Sequence, residues 1–484
     1  MSELKKRYGL FTAICMVVGI VIGSGVFFKA QNILETTGGN MLQGILAWII
    51  GGVIMLSCIL AFSVLAQKYE KVNGVVDYAE MTIGSKYGYF VGWFMTFLYY
   101  PTMTSVLAWL SARYLLTFIC SANPDFTMYI SVDEGGAVFG PECFVLAGFF
   151  LVLSFAINAL SPKIAGKVQV STTVIKLIPL LLMAVIGTIY GFTHPVSETA
   201  SQSVLQANFS QDVQSWDLLF PAVVATAFAY EGWIIATSIN AELKNSKKNL
   251  PIALITGGIV IIAVYIFYFI GVSGGADTDS LIKIGANVAF TNVFGDTLGN
   301  ILNLFVAISC MGTLNGLMLG CTRGLYSISV RGYGPRPKIF SQVDKETNMP
   351  VNSAVVAALL VAFWLVYFFG ANLFAGKPWF GVFSFDSSEL PIVTTYAFYI
   401  PIFISFMKKA KDVSPVKRFV LPAFAIIGSA AMVGMAIYAH GIKPYLAAAE
   451  NGEFSCPVLF YLIVFAAIML AGVFFMDKKK NSAK

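Results

Sequence analysis

Two stretches of this 484-residue chain place glycine and a polar group in the middle of apolar runs. The first is Gly19-Ile20-Val21-Ile22-Gly23-Ser24-Gly25-Val26-Phe27, where three glycines and a serine are poor helix material. The second is Thr226-Ala227-Phe228-Ala229-Tyr230-Glu231-Gly232-Trp233. Close helix packing through small residues would explain the first stretch taken alone. A second irregular segment 208 residues on, from Ser24 to Gly232, favours true unwinding of both. An unwound first segment would expose amides at Gly23, Ser24 and Gly25 at the positive start of a half-helix, beside the Ser24 hydroxyl, where an anion is favoured. Carbonyls freed around Val21 and at Phe228, Ala229 and Glu231 would suit a cation. One anion and one cation at that spacing describe an α-amino acid zwitterion. Sugars would call for several carboxylate or amide side chains beside aromatics, which are scarce here.

Two charges lie where apolar surroundings make them costly. Lys176, in Val174-Ile175-Lys176-Leu177-Ile178-Pro179, sits roughly 13 Å into an apolar run starting near 168. It snorkels to water, braces neighbouring segments as a fixed cation, or carries a coupled proton. Glu231 receives a basic substrate side chain, binds the coupled proton, or turns away to cap a helix end. Tyr99 and Tyr100, just before Pro101, line a cavity or pack the core; Trp233 is a packing anchor or a substrate contact. Asn315, beside Gly312 and Gly316, reads as polar glue between helices, and Arg113 as a side chain reaching out of the membrane. The seven cysteines show no metal-type spacing; Cys120 and Cys143 flank one outer loop and could bridge. The two histidines, His194 and His440, show no ligand spacing. No cofactor and no metal site are expected.

These groups are carried by a chain that is 57% hydrophobic and only 12% charged. Soluble domains carry roughly a quarter charged residues. The apolar residues form blocks of about twenty, enough to cross the hydrocarbon core. Twelve spans are expected, at 9–34, 42–66, 86–119, 141–160, 168–190, 216–240, 250–272, 292–329, 351–370, 388–407, 418–439 and 456–476. The first follows Lys5-Lys6-Arg7 and reads as a retained span rather than a cleaved signal. With the N-terminus inside, 25 of the 31 lysines and arginines fall on inner segments, as the positive-inside rule requires. Outer segments keep Lys283, Lys377 and Lys443 and gather acids such as Asp212, Asp277 and Glu450. Both termini are expected in the cytoplasm, with the chain a multi-pass protein of the cytoplasmic membrane. Residues 1–190 and 216–407 would each supply five spans, starting at opposite faces because five is odd; 408–484 would add two helices and a short tail. That is the layout of an inverted repeat with its site between discontinuous helices. The net charge of +6 suits anionic lipid and needs no nucleic acid.

Four ordered stretches resemble the amino acid–polyamine–organocation (APC) superfamily, in its bacterial L-amino-acid-transporter-like branch of permeases and exchangers. They are Gly19–Phe27; Gly74-Val75-Val76-Asp77-Tyr78; Phe228–Trp233 with Ala241-Glu242-Leu243-Lys244-Asn245 and Asn249-Leu250-Pro251; and Gly312-Thr313-Leu314-Asn315-Gly316 with Arg323. Val76 replaces a family tyrosine, Ser246 a family proline, and Glu231 a position more often small, apolar or aspartate. The resemblance implies an all-α, LeuT-type 5+5 inverted repeat with discontinuous helices 1 and 6, working by alternating access. It implies the substrate carboxylate at Ser24 and Gly25, the ammonium at first- and sixth-span carbonyls, and Phe228 as the aromatic gate. Lys176 matches a lysine that, in some sodium-independent relatives, stands where sodium would bind. The implied activity is sodium-independent amino acid transport, by proton-coupled symport or by exchange. Selectivity for cationic amino acids or polyamine-like amines through Glu231 is the alternative. A channel would need a continuous polar path or rings of charge, a receptor a signalling domain, and an enzyme a catalytic cluster; none is legible. Expected partners are the amino acid, a coupled proton and membrane lipid, with the chain a monomer or homodimer.

Overall fold

The computed structural model describes residues 6–69, 73–123, 130–133, 136–197, 199–373 and 378–476. Lys5, Lys71, Lys377, Asp125, Glu134 and the basic tail therefore lie outside the described residues. Among those described, twelve helices are long and apolar enough to cross a membrane, from Leu10–Thr36 to Pro457–Met476. Their order and approximate ends follow the apolar blocks. The first, sixth and eighth (Asp296–Ser329) are the most enclosed, with 78% of their apolar windows buried; the twelfth is 11% buried. The innermost helices are therefore the ones that carry the irregular sequence, and the twelfth is peripheral.

The third span, Ser85–Ala122, packs along the eighth, and the second, Met41–Lys68, along the seventh, Ser246–Gly275. The first lies against the fifth, seventh and eighth. Backbone approach replaces side-chain interdigitation between the fifth and seventh spans. A Cβ on Gly271 would lie 2.1 Å from the Met183 carbonyl oxygen, so only glycine permits this contact. Asn315 joins the eighth span to the fourth and fifth, accepting from Asn158 Nδ2 at 2.9 Å and donating to Gln169 Oε1 at 3.2 Å.

Several boundaries differ from the sequence reading by a few residues or more. The eighth span begins at Asp296, not 292, because Gly295 takes φ +84° and ends the preceding short helix, Ala286–Phe294. The fifth starts near 162 rather than 168, capped by Ser161, whose hydroxyl accepts from the Ile164 amide. The eleventh, Val416–Ala449, runs ten residues past 439. Cys120 and Cys143 are both free thiols, as are the other five cysteines. The loop between them contains a two-stranded antiparallel hairpin, Ile130–Asp133 with Gly136–Phe139.

Candidate functional site

The first span consists of two half-helices, Leu10–Val21 and Gly25–Thr36, separated by Ile22-Gly23-Ser24. Ile22 leaves the helix at φ −72°, ψ 95°. Helix ends orphan their last carbonyls, and here they converge on one amine. Lys176 Nζ lies 2.8 Å from the Gly19 carbonyl, 2.5 Å from that of Ile22, 3.0 Å from that of Ser309 and 3.2 Å from Thr313 Oγ1. Lys176 is fully buried, and among the described residues no carboxylate pairs with it. The negative end of the first half-helix and three carbonyl dipoles stand in for a counter-ion. Thr313 Oγ1 is also 3.2 Å from the Gly19 and Ile22 carbonyls, and Ser309 Oγ is 3.3 Å from that of Gly23. The eighth span thus laces the break to the fifth.

The sixth span breaks by a different device. Its helix Leu219–Tyr230 ends at Glu231, extended at φ −84°, ψ 163°. Gly232 follows at φ +103°, a conformation that favours glycine. The chain then continues as ten residues of 3₁₀ helix, Trp233–Glu242. The two breaks touch through their backbones: a Cβ on Gly25 would lie 2.6 Å from Ala229 Cα. From the seventh span, the Tyr265 hydroxyl sits 3.0 Å from the Val21 carbonyl and 2.9 Å from that of Ala229, joining the breaks.

Glu231 is 3% exposed, and its Oε1 accepts from the Tyr99 hydroxyl at 2.5 Å. Tyr99 closes a π-helical turn, Met95–Tyr99. Two residues later Pro101 removes the amide that would bond the Phe97 carbonyl, and Trp364 Nε1 donates to that carbonyl instead, at 3.1 Å. Tyr100 turns elsewhere, to Asn73 Oδ1 at 3.3 Å. Trp233 packs on Phe62 and Tyr399 and does not line the cavity.

Between the breaks lies a cavity of 20 Å³, bordered by Val21, Gly23, Ser24, Gly25, Phe228 and Glu231 and by Thr313 of the eighth span. That is room for about one water, too little for an amino acid. Ala229 and Lys176 sit just behind the lining, against Gly25 and the first break. At one end of the cavity the Lys29 ammonium lies 5.5 Å from the Phe228 ring centroid. Lys29 pairs with Glu389, which also meets His440 Nε2 at 2.9 Å, so an ion cluster links the first span, the residue before the tenth and the eleventh. Away from the cavity, where the start of the first span meets the end of the sixth, the amides of Arg7 and Tyr8 donate to the Glu242 carbonyl at 2.7 and 3.1 Å, and the Lys244 amide donates to that of Tyr8 at 2.9 Å. The Glu242 side chain is buried against Arg323, with Oε1 2.7 Å from Nε.

Sequence reasoning left out Lys29, Tyr265, Ser309, Glu389 and the role of His440, which carries no ligand spacing but completes an ion cluster. Lys29 had a usable signal, an ammonium inside an apolar run, the same signal that marked Lys176. Cys310 lies beside Ser24.

The amino acid permease family matches residues 8–465, almost the whole chain. A serine/threonine exchanger, SteT, of Bacillus subtilis is 27% identical over 444 residues, 90% of this chain and 91% of the exchanger. The rat large neutral amino acids transporter small subunit 2 is 27% identical over 350 residues, 72% of this chain and 62% of the relative. The human cystine/glutamate transporter is 22% identical over 357 residues, 73% of this chain and 66% of the relative. Twelve apolar helices, two of them broken where they enclose a common cavity, and a match of this length lead to one assignment: the chain belongs to the amino acid permease family of the APC superfamily.

Proposed function

We propose that this protein carries amino acids across the cytoplasmic membrane by sodium-independent secondary transport, using a LeuT-type inverted repeat and alternating access, with both termini in the cytoplasm. The observation that carries the sodium independence is the Lys176 ammonium, held by the carbonyls of Gly19, Ile22 and Ser309 and the Thr313 hydroxyl. Oxygens arranged this way would suit a small monovalent cation, and a covalently tethered one already holds them. The substrate carboxylate is assigned to the amides at Ser24 and Gly25, and its ammonium to carbonyls at Val21, Phe228 and Ala229. Tyr265 supplies one proton to two carbonyls, and each carbonyl has two lone pairs, so acceptor capacity remains for the substrate. The cavity must widen to admit an amino acid, which is what alternating access requires. Exchange or proton-coupled symport would move the substrate through it.

Purified protein in proteoliposomes tests this directly. Uptake of radiolabelled serine, threonine and leucine should proceed equally in sodium and choline buffers, and rise when unlabelled amino acid is loaded inside. Sodium-dependent uptake would remove Lys176 from the proposed role. An absence of flux for all twenty amino acids would remove the reading as a whole.

One observation favours a second reading, selectivity for cationic amino acids. Glu231 borders the cavity, and only its Oε1 is engaged by Tyr99. Glu231→Gln keeps the size and removes the charge. If the carboxylate selects substrates, lysine, arginine and ornithine lose about tenfold in apparent affinity, about 1.4 kcal/mol and so at the lower end of what a hydrogen bond to a charged group contributes, while serine is unchanged. If it carries a coupled proton, exchange survives and pH-gradient-driven uptake disappears. A variant indistinguishable in both assays leaves Glu231 a structural partner of Tyr99.

A further inference from the structure

A second concavity, of 500 Å³, lies away from the cavity just described, between the start of the first span and the start of the fifth. Three cations line it: Arg7 from the segment that leads into the first span, and Lys163 and Lys167 from the first two turns of the fifth. Lys163 and Lys167 are exposed and Arg7 is half-buried. Among the described residues none of the three has a carboxylate within ion-pair distance. Their placement is electrostatically unfavourable on two counts. Like charges crowd one groove, and two of them stand at the N-terminal end of a helix, where the dipole already presents positive charge. Thr12 and Ser171 add hydroxyls to the same wall. Beside them Phe11 is 65% exposed, an apolar side chain at the same level as the charges.

We propose that this groove binds the headgroup of an anionic phospholipid, with the phosphate among Arg7, Lys163 and Lys167 and an acyl chain along Phe11. A free phosphate or nucleotide would use the cations but leave Phe11 without purpose. A lipid accounts for both, since a basic cluster beside exposed apolar side chains is the arrangement found at membrane borders. The occupied groove ties the first span to the fifth beside the Tyr8–Leu243 backbone bridge, where the start of the first span meets the end of the sixth. The leaflet rests on the orientation proposed above, with the N-terminus in the cytoplasm. The existence of the site does not.

The test uses delipidated full-length protein in neutral detergent, where there is no leaflet and no substrate. Its melting temperature is followed as dioleoylphosphatidylglycerol is titrated in, with phosphatidylcholine and inorganic phosphate in parallel. Phosphatidylglycerol should raise the melting temperature of the wild type, while the other two leave it in place. In Lys163→Gln/Lys167→Gln the midpoint of that rise should move to higher lipid concentration, roughly fivefold for each lysine removed. Lys408→Gln/Lys409→Gln, an equal loss of charge elsewhere, should behave as wild type. The proposal is overturned by no rise in the wild type, by an equal rise with inorganic phosphate, or by equal displacement in both double variants. Failure of the transport or orientation reading would appear in flux or accessibility measurements and leave this result untouched.

Discussion

The first break runs through Ile22-Gly23-Ser24 with ordinary backbone angles, and what holds it open comes from other spans: an ammonium from the fifth and two hydroxyls from the eighth. The sixth break holds its own shape. Gly232 at φ +103° sets the turn locally, and Glu231 beside it is extended. One break is kept by distant ligands and the other by its own backbone, so a single substitution should do most harm when it removes a ligand of the first. That contrast also suits a carrier, since a ligand-held break can be rearranged by moving neighbouring helices, while a backbone-held one keeps a fixed wall for the substrate.

The strongest way to break the contrast is Lys176→Ala. It takes the ammonium from the enclosed Gly19, Ile22 and Ser309 carbonyls and leaves the one proton of the Thr313 hydroxyl to be shared by the first two, at about 1–3 kcal/mol for each carbonyl left unmet, so exchange in proteoliposomes should fall about 100-fold or more. Added sodium should not restore it. Retention of near-normal flux would mean that the first break keeps its own shape after all.

Gly25 comes next, because it is where the two breaks meet. Leucine there should abolish transport while the protein still inserts and purifies as a monodisperse species. Alanine is the sharper probe: its Cβ would meet Ala229 Cα at 2.6 Å, so it should cost about tenfold in flux, the equivalent of about 1.4 kcal/mol. An alanine variant with full activity would show that the breaks separate freely.

Gly232→Ala tests the backbone-held side. Forcing a side chain into a left-handed conformation costs about 1–2 kcal/mol, and its Cβ would lie 2.9 Å from Ile20 Cγ2. A severalfold loss of flux with a melting temperature lower by a few degrees is expected, milder than the loss at Lys176. If Gly232→Ala is the more damaging of the two, the comparison is reversed. Tyr265→Phe is the smallest step, removing one hydroxyl shared by two carbonyls, worth about 0.5–1 kcal/mol, the lower part of the range for a neutral hydrogen bond. Flux should fall two- to fivefold, and an unchanged substrate affinity would show that the hydroxyl only joins the breaks.

Periodicity and composition made the twelve spans legible because each must satisfy its backbone internally and present apolar side chains over a fixed thickness. The breaks were legible for the converse reason: Gly23-Ser24-Gly25 and Glu231-Gly232 are residues that a continuous apolar helix has no use for. The surroundings of Lys176 were not. Its ligands Ser309 and Thr313 are 133 and 137 residues away, and neither differs locally from any other hydroxyl on a helix. The partnership of Lys29 with Glu389 spans 360 residues and leaves no local pattern. Tyr265 is one aromatic among several in an apolar run, distinguished only by the two carbonyls that folding brings to it. The start of the eighth span was misread because Ala286–Phe294 is apolar enough to look continuous with it, and a single residue, Gly295, separates them.

The 3₁₀ winding of Trp233–Glu242 has a consequence for reach. At about 2.0 Å of rise per residue, ten residues cover about 20 Å, whereas an α-helix of the same residues would cover about 15 Å. The sixth span spends two residues on its break and must still deliver Glu242 to Arg323 and to the amides of Arg7 and Tyr8. The tighter, longer winding restores about one α-helical turn of length. A span interrupted at its centre thereby still reaches the far side of the protein with no additional residues.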